Sequence, residues 1–269
     1  MITADSHLHT SFSADSKTAP RDQILSAVSA GLSHMTFTDH YDPDFPEGDL
    51  DFTFDIDTYF HTLAELKEEF AGKIDIGIGI ELGAQPHIPG MLNELASGYP
   101  FDFVINSTHL VKRIDPYDTR IYFRDRTEKE GLRLYFEEVL ANLNVFEDYD
   151  SAGHIDYAFR YLPSHSRDYA PYPEYGDVLD EILKTVIDKG KCLEINTAGL
   201  KAGLTFAHPH PEILKRYREL GGELITTGSD AHNPAQIGKY FDVTGDLLTN
   251  LGFRYYAVFR NRKPVFLPL

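Results

Sequence analysis

The sequence predicts an α/β fold in which seven parallel strands close into a TIM-like barrel. Short segments rich in apolar, β-branched and aromatic residues alternate along the chain with segments whose apolar residues recur at helical spacing. No linker interrupts this strand–helix order, which is typical of a parallel sheet. Because a chain of 269 residues accommodates seven such pairs better in a closed barrel than in an open sheet, we predict a single domain over residues 1–269.

Seven segments are predicted to be strands because they are short and apolar. In chain order they are Ile2–Asp5, Met35–Thr38, Ile74–Ile80, Phe101–Asn106, Ser151–His154, Cys192–Asn196 and Leu224–Thr227. Residues 253–269 contain two further apolar stretches on either side of a polar Asn-Arg pair. This C-terminal segment predicts a hairpin or an extra strand.

Five segments are predicted to be helices because their apolar residues recur every three or four positions. The recurring residues are Ile24, Leu25, Val28 and Leu32; Tyr59, Phe60, Leu63, Leu66 and Phe70; Leu132, Phe136, Leu140 and Leu143; Val178, Ile182 and Val186; and Ile213, Leu214, Tyr217 and Leu220. Pro20 suits the first turn of the first helix. The Tyr- and Pro-rich piece Ser164–Tyr175 predicts a long loop between elements.

The charge balance limits the partners of this protein. Lys and Arg total 25 while Asp and Glu total 42, which gives a net charge of −17. An acidic surface repels phosphate backbones, so we expect neither a nucleic acid nor a membrane as partner. Cys192 is the one cysteine, which excludes an internal disulfide and a cysteine-type zinc site. We predict a cytoplasmic protein, because the N-terminus lacks the pattern of a signal peptide and no apolar run is long enough for a membrane span.

Side chains that bind metals follow most of the predicted strands. Because the carboxyl ends of barrel strands all open on one face, we expect these scattered residues to converge in one cleft. They are Asp5, His7, His9 and Asp15 after the first strand, His40 after the second, Glu81 after the third, His109 after the fourth, His154 at the fifth, and Asp230 and His232 after the seventh.

The chemistry of this set predicts a metal centre. Imidazole nitrogen and carboxylate oxygen are the usual ligands of zinc, manganese and iron in such sites. The alternation in His7-Leu8-His9 places both rings on the same side of an extended chain, and Asp230 and His232 repeat that spacing. Asp5 is positioned to accept the second ring N–H of a ligating histidine and so fix its tautomer.

Six other histidines do not follow strands, and we predict that they are solvated and bind no metal. They are His34, His61, His87, His165, His208 and His210. The last two stand in a Pro-rich turn at the start of a helix, a context that indicates a structural role.

Taken together, six motifs resemble the polymerase-and-histidinol-phosphatase (PHP) family. They are Asp5-x-His7-x-His9, Thr38-Asp39-His40, Gly79-Ile80-Glu81, Ser107-Thr108-His109, Gly153-His154 and Ser229-Asp230-Ala231-His232. Each motif is weak alone, but six in this order are specific and span nearly the whole chain. The resemblance implies a distorted (β/α)7 barrel that binds two to three divalent ions of zinc, manganese or iron, typically three.

The resemblance also implies which residues share each ion. One ion would be held by His7, His9, Glu81 and Asp230, a second by Glu81, His109 and His154, and a third by Asp15, His40 and His232. Asp15 departs from the pattern of some family members, which have histidine at this position. An oxygen ligand there alters the metal that the site prefers.

Within the family, the stretches Gly153–Tyr161 and Leu193–Lys201 resemble the stand-alone histidinol-phosphate phosphatases. We therefore expect an enzyme of histidine biosynthesis that hydrolyses the small molecule L-histidinol phosphate to L-histidinol and phosphate. Clustered divalent ions suit this reaction because they bind phosphoryl oxygens and lower the pKa of a bound water. We expect a metal-bound hydroxide to attack phosphorus directly.

Two cationic side chains are candidates for binding the phosphate beside the ions. Arg160 is the first, since a guanidinium matches phosphate with two parallel hydrogen bonds, and Lys201 is the second. Asp42, Tyr117 and Tyr161 are candidates for contacting the ammonium and imidazole groups of the substrate.

Three alternatives stay open at the level of sequence. The first is another PHP phosphoesterase, such as a nuclease, a small-nucleotide phosphatase or a phosphotyrosine phosphatase. The second is an amidohydrolase, because His-x-His after the first strand also opens that superfamily. Those enzymes often use a lysine after the fourth strand, where this chain has Asn106–His109. The third is a non-catalytic domain that binds metal for stability, although such a domain would be expected to lose ligands.

Overall fold

The computed structural model describes residues 1–46 and 50–269. Within these residues the strands are β1 (Ala4–Asp5), β2 (His34–Phe37), β3 (His40–Tyr41), β4 (Asp75–Gly83), β5 (Phe103–Ser107), β6 (Ser151–Ala152), β7 (Cys192–Asn196), β8 (Ile225–Gly228), β9 (Tyr255–Arg260) and β10 (Lys263–Pro268). The α-helices are α1 (Pro20–Ser29), α2 (Ile56–Glu69), α3 (Pro89–Gly98), α4 (Thr119–Tyr122), α5 (Glu128–Val145), α6 (Pro171–Asp188), α7 (Ala198–Lys201), α8 (Pro211–Glu219) and α9 (Phe241–Asn250). Two 3₁₀ turns cover Tyr157–Tyr161 and Pro234–Gln236.

The first eight strands form one parallel sheet that closes into a barrel. Neighbouring strands are hydrogen-bonded in the order β1-β2-β4-β5-β6-β7-β8. Strand β2 pairs with the first part of β4, and β3 pairs with a later part of β4. The ring closes between β8 and β1. There the amide of Ser6 donates to the carbonyl oxygen of Thr227 over 2.9 Å, and Leu8 forms a parallel bridge with Ala231. Seven strand positions around the ring confirm the predicted fold class.

Four helices, α3, α4, α7 and α9, were not predicted from the sequence; α4 and α7 have only four residues each, too few for a periodic apolar pattern. Only Leu92 and Ala96 of α3 are buried, so its apolar stripe is too narrow to stand out in the sequence. The buried face of α9 includes Thr244 and Gly245, which do not read as core residues. Helices α3 and α9 therefore pack against the rest of the protein although their sequences lack a strong apolar pattern.

The predicted loop Ser164–Tyr175 is too long at its C-terminal end. Helix α6 begins at Pro171, where a missing N–H costs nothing because the first amides of a helix have no partner within it. The preceding Tyr169 stacks on Phe159 with ring centroids 4.2 Å apart. The aromatic residues of this stretch thus pack against the barrel.

The C-terminal segment forms the predicted hairpin. Strands β9 and β10 pair antiparallel, with Arg260 opposite Lys263 at the turn. Ala257 and Phe259 of β9 pack with Phe103, Cys192 and other buried residues of the barrel strands. The hairpin therefore covers one end of the barrel, and the thiol of Cys192 is buried beneath it.

Helix α1 forms where the sequence predicts it, but its buried face differs. Ile24 and Ala27 are fully buried, whereas Leu25 and Val28 are 50% and 36% exposed.

Among the described residues, no helix has the length and apolar character that crossing a membrane requires.

Candidate metal centre

The ligand candidates converge around the carboxylate of Glu81 in β4. This carboxylate is fully buried, and its Oε1 atom lies 2.9 Å from Nε2 of His154 and 3.2 Å from Nε2 of His109. Its Oε2 atom lies 2.7 Å from Nδ1 of His40 and 3.2 Å from Nε2 of His7. Because β1 to β6 all end at this face, their carboxyl ends bring five side chains from distant parts of the chain together.

A first group forms where the loop after β1 meets the loop after β8. The Nε2 atom of His9 lies 3.2 Å from Oδ1 of Asp230 and 3.6 Å from Oε2 of Glu81. One ligand atom from each of His7, His9 and Asp230 lies within 4.8 Å of the others. This group agrees with the first ligand set that the resemblance implies.

A second group centres on the Oε1 atom of Glu81. His7, Glu81 and His154 offer ligand atoms within 4.8 Å of one another, and His109 lies against the same carboxylate oxygen as His154. The resemblance assigns Glu81, His109 and His154 to one ion. The structure brings those three together and also places His7 beside them.

A third group lies nearer the protein surface. The Oδ2 atom of Asp15 is 3.1 Å from Nε2 of His232 and 3.7 Å from Nε2 of His40. The ring of His9 packs against the rings of His40 and His232, with centroids 4.1 Å and 4.2 Å away, and the rings of His40 and His232 also lie close together, with centroids 5.5 Å apart. All nine predicted ligands therefore lie in one continuous cluster.

Several of the facing atoms are buried and lack hydrogen bonds. Within the described chain, Nε2 of His7, Nε2 of His9, Nδ1 of His40 and Oε2 of Glu81 have no hydrogen-bond partner, although they lie close together. Buried polar atoms are normally satisfied, so a group of such atoms directed at one another is the arrangement that bound cations complete. These side chains fit divalent metal ions.

Electrostatics keeps Glu81 and His40 in their charged forms, whereas burial lowers the pKa of His9 and of His154. Burial alone would raise the pKa of Glu81, but the surrounding His7, His40 and His109 hold the pKa of its carboxyl well below the usual value. Burial would lower the pKa of His40, yet the carboxylates of Glu81 and Asp15 raise that pKa to about 9. The centre thus holds anionic carboxylates that attract positive charge, either protons or metal ions.

Glu194 of β7 orients His7, a role that was not predicted from the sequence. Its Oε1 atom lies 2.5 Å from Nδ1 of His7, and its Oε2 atom accepts the backbone N–H of His154 over 2.8 Å. A carboxylate on Nδ1 leaves Nε2 free to bind a metal. The signal in the sequence is a charged residue inside the apolar strand Cys192–Asn196, which a fully buried strand tolerates only for a specific partner.

Gly228 leaves the space that this pair occupies. A Cβ atom there would lie 2.3 Å from Cβ of His7 and 2.9 Å from Oε1 of Glu194. The glycine at the end of β8 therefore allows close approach of β1 and β7.

Asp42 holds His109 in a similar way. Its Oδ1 atom lies 2.8 Å from Nδ1 of His109, which directs Nε2 toward Glu81. A Cβ atom on Gly83 would fall 1.3 Å from that same Asp42 oxygen. Asp42, predicted as a substrate contact, lines the cavity but is engaged by a ligand candidate.

Asp5 does not orient an imidazole as predicted. Its carboxylate accepts backbone N–H groups of Ser229 over 2.8 Å, of Gly238 over 3.0 Å and of His7 over 3.4 Å. Its two oxygens are engaged by these amides, and none of the hydrogen bonds of Asp5 in the described structure is to an imidazole ring. Asp5 fixes the loops that carry the ligands.

An open cavity of about 860 Å³ lies over the cluster and is lined by both predicted phosphate-binding residues. The guanidinium of Arg160 is mostly buried, sits 4.4 Å from the ring centroid of Tyr157, and is 3.9 Å from Oδ2 of Asp230. The ammonium of Lys201 donates to the carbonyl oxygen of Asp230 over 2.6 Å. The structure therefore places two positively charged side chains, those of Arg160 and Lys201, beside the ligand candidates.

The outer wall of the cavity combines acidic and aromatic residues. Tyr117 and Tyr161 meet edge to face with centroids 5.5 Å apart, and both line the cavity together with Asp115 and Asp118. Burial raises the pKa of the half-buried Asp115 carboxyl. The two tyrosines were expected from the sequence as substrate contacts, whereas the two acids were not.

Three of the six histidines predicted to be solvated are buried instead. His34 donates from Nδ1 to the carboxylate of Asp75 over 2.7 Å, His208 pairs with Asp156 over 2.5 Å, and His210 lies 3.0 Å from Asp168. Their carboxylate partners explain why burial is tolerated. These pairs lie outside the metal cluster, and His61, His87 and His165 are exposed as predicted.

Comparisons with known proteins agree with this architecture. Residues 5–198 match the family model described as "PHP domain". The chain is 34% identical over 263 residues to a histidinol-phosphatase of Lactococcus lactis, which covers 98% of this chain and 96% of that protein. It is also 35% identical to a "probable histidinol-phosphatase" of Clostridium acetobutylicum, and that match covers 97% of this chain and 95% of the relative.

A solved structure is similar over the same length. The crystal structure of histidinol phosphate phosphatase from Lactococcus lactis, complexed with zinc, L-histidinol and phosphate, superposes with a TM-score of 0.89. It shares 34% identity and covers 98% of each chain. The family-model match to residues 5–198 and the 34% identity to a relative over 98% of this chain show that this chain belongs to the PHP domain family.

Proposed function

We propose that this protein is a metal-dependent phosphatase that hydrolyses L-histidinol phosphate to L-histidinol and phosphate. The observation that carries the proposal is the juxtaposition of buried, inward-facing ligand atoms with Arg160 and Lys201 in one cavity. Relatives at 34% and 35% identity bear the name histidinol-phosphatase, which supports the same substrate.

The nine predicted ligands would hold up to three divalent ions. Zinc fits the mixture of imidazole and carboxylate donors, and zinc is present in the structure of the Lactococcus relative. Such ions supply charge to phosphoryl oxygens, lower the pKa of a water ligand and stabilise a leaving oxygen. The side chains of Glu81 and Asp230 would hold these ions, because both carboxylates have lowered pKa values and stay ionised.

Arg160 and Lys201 would bind the phosphate oxygens that face away from the ions. Burial would lower the pKa of Arg160, but Tyr161 and Asp230 more than offset this effect and raise it, so the guanidinium stays charged. Its position over the ring of Tyr157 adds a cation–π contact that helps to hold the guanidinium beside the ligand candidates, where it could contact phosphate with two hydrogen bonds.

The outer wall would recognise the organic part of the substrate. Histidinol carries an ammonium and an imidazole, which match a carboxylate and aromatic faces respectively. Asp115 and Asp118 supply the carboxylates, and Tyr117 and Tyr161 supply the aromatic rings. Tyr117 is 70% exposed, so a bound imidazole would cover apolar surface that now contacts water.

The location of the protein is proposed from its composition. The lone cysteine is buried and unpaired, and the net charge of −17 disfavours anionic polymers and surfaces. We place the enzyme in the reducing cytoplasm, acting on a soluble metabolite.

A substrate panel with purified, zinc-loaded protein tests the proposal. We expect phosphate release from histidinol phosphate to exceed release from p-nitrophenyl phosphate, a nucleoside monophosphate and phosphotyrosine at least tenfold in kcat/KM. Glu81→Ala should abolish release while preserving the fold. Equal rates across the panel would contradict the substrate assignment, and an active Glu81→Ala variant would contradict the metal centre.

A further inference from the structure

The hydroxyl of Ser13 lies between two of the ligand groups. Ser13 follows His9 by four residues in the loop after β1 and is 1% exposed. Its Oγ atom is 3.1 Å from Nδ1 of His9, 3.0 Å from the backbone nitrogen of His40, and 2.8 Å from Oδ1 of Asp39. One small side chain thus contacts a ligand candidate of the first group and the backbone of one in the third.

The direction of these hydrogen bonds follows from the amides around Asp39. Its Oδ1 atom accepts backbone N–H groups of Thr10 over 2.6 Å and of Ser13 over 3.1 Å. Because amides only donate, this oxygen carries no proton and must also accept the Ser13 hydroxyl hydrogen. The two lone pairs of Ser13 Oγ then remain for the His40 amide and for the ring of His9.

The ring of His9 must therefore donate from Nδ1. A neutral imidazole with its hydrogen on Nδ1 has a bare Nε2. That Nε2 atom is buried without a hydrogen bond and faces Asp230 at 3.2 Å. The tautomer that Ser13 imposes is the one that can bind a metal through Nε2.

We propose that Ser13 is a positioning residue that sets the His9 tautomer and the backbone of His40, and so adjusts two ion sites at once. The inference rests on the proposed metal centre. It differs from the role of Glu194, which holds the ring of His7 through a carboxylate and does not contact the third group.

Metal binding by matched variants tests the proposal. Zinc dissociation constants would be measured in competition with a chromophoric chelator, together with zinc content and melting temperature, for wild type, Ser13→Ala and Ser151→Ala. Ser151 is an equally buried serine in β6 whose hydroxyl pairs with Thr226 over 2.8 Å, so it is the control. We expect two zinc ions to bind about 10–100-fold more weakly in Ser13→Ala and no ion to weaken in Ser151→Ala.

A spectrum of the wild-type protein tests the tautomer without any change at Ser13. Long-range ¹H–¹⁵N correlation of the metal-free protein, with His9 assigned by its loss in His9→Gln, should show the hydrogen on Nδ1. Unchanged zinc affinity in a folded Ser13→Ala, weakening of a single ion, or a hydrogen on Nε2 of His9 would each overturn the inference. If wild type binds no zinc, the proposed function fails, and the spectrum still decides the tautomer.

Discussion

The Nδ1 atom of His7 lies 2.5 Å from Oε1 of Glu194, and both side chains are fully buried. Burial alone would lower the pKa of His7, but Glu194 and Glu81 together raise it well above its usual value. The pair links the loop after β1 to strand β7, and the two residues are 187 positions apart in the sequence. It is the clearest case in this protein of a side chain that supports a ligand without being one.

Glu194→Gln should weaken zinc binding about 10–100-fold, because an amide keeps the shape but removes the charge that makes His7 a better ligand. Isothermal titration of the metal-free protein measures the change. Glu138→Gln is the control, since Glu138 is a buried glutamate of α5 that accepts only the amide of Lys112 among the described residues. Equal affinities for the two variants would argue against an orienting role.

Arg160→Ala should lower kcat/KM for histidinol phosphate about 100-fold, since a preorganised charge near the reacting phosphate is lost. Steady-state kinetics with zinc-loaded protein gives the number. Arg216→Ala, which breaks an ion pair with Asp180 on the outside of α8, should leave the rate unchanged. A similar loss in both variants would point to a general effect on stability instead of phosphate binding.

Gly83→Ala should displace Asp42 from His109, because the new Cβ would overlap the carboxylate oxygen at 1.3 Å. We expect lower zinc content after dialysis and a destabilisation of about 1–3 kcal/mol from overpacking. Gly90→Ala is the matched control, since a Cβ there meets nothing within 4 Å at the start of α3. Zinc retention equal to that of Gly90→Ala would show that Asp42 is not needed.

Zinc affinity should increase as pH rises from 6 to about 9. In the metal-free protein the pKa of His40 is raised to about 9, so at neutral pH its ring is protonated and a metal ion must displace the proton. The expected signs are therefore proton release on zinc binding at pH 7 and a smaller release above pH 9. Titration in buffers of different ionisation enthalpy measures both. Proton uptake, or affinity independent of pH, would be inconsistent with His40 as a ligand.

The order of strands and the identity of the ligand candidates could be predicted because each depends on local patterns. A parallel strand that is buried on both faces reads as a short apolar run, and a barrel requires that every such strand ends at the same face. The histidines and acids after β1, β2, β4, β5, β6 and β8 were therefore expected to meet, and they do so around Glu81.

The supporting residues could not be predicted, since their roles depend on distances between strands that are far apart in sequence. Asp5 precedes His7 by only two residues along the chain, yet it binds backbone amides, whereas Glu194 is 187 residues away in sequence and contacts the ring of His7. His208 resembles a solvated turn residue until Asp156 is placed against it. The sequence by itself determined the fold class and the chemistry of the centre, because periodicity and residue type suffice for both. Only the tertiary structure decided which carboxylate or hydroxyl orients each ring, because a hydrogen bond depends on a few tenths of an ångström that no spacing in the sequence encodes.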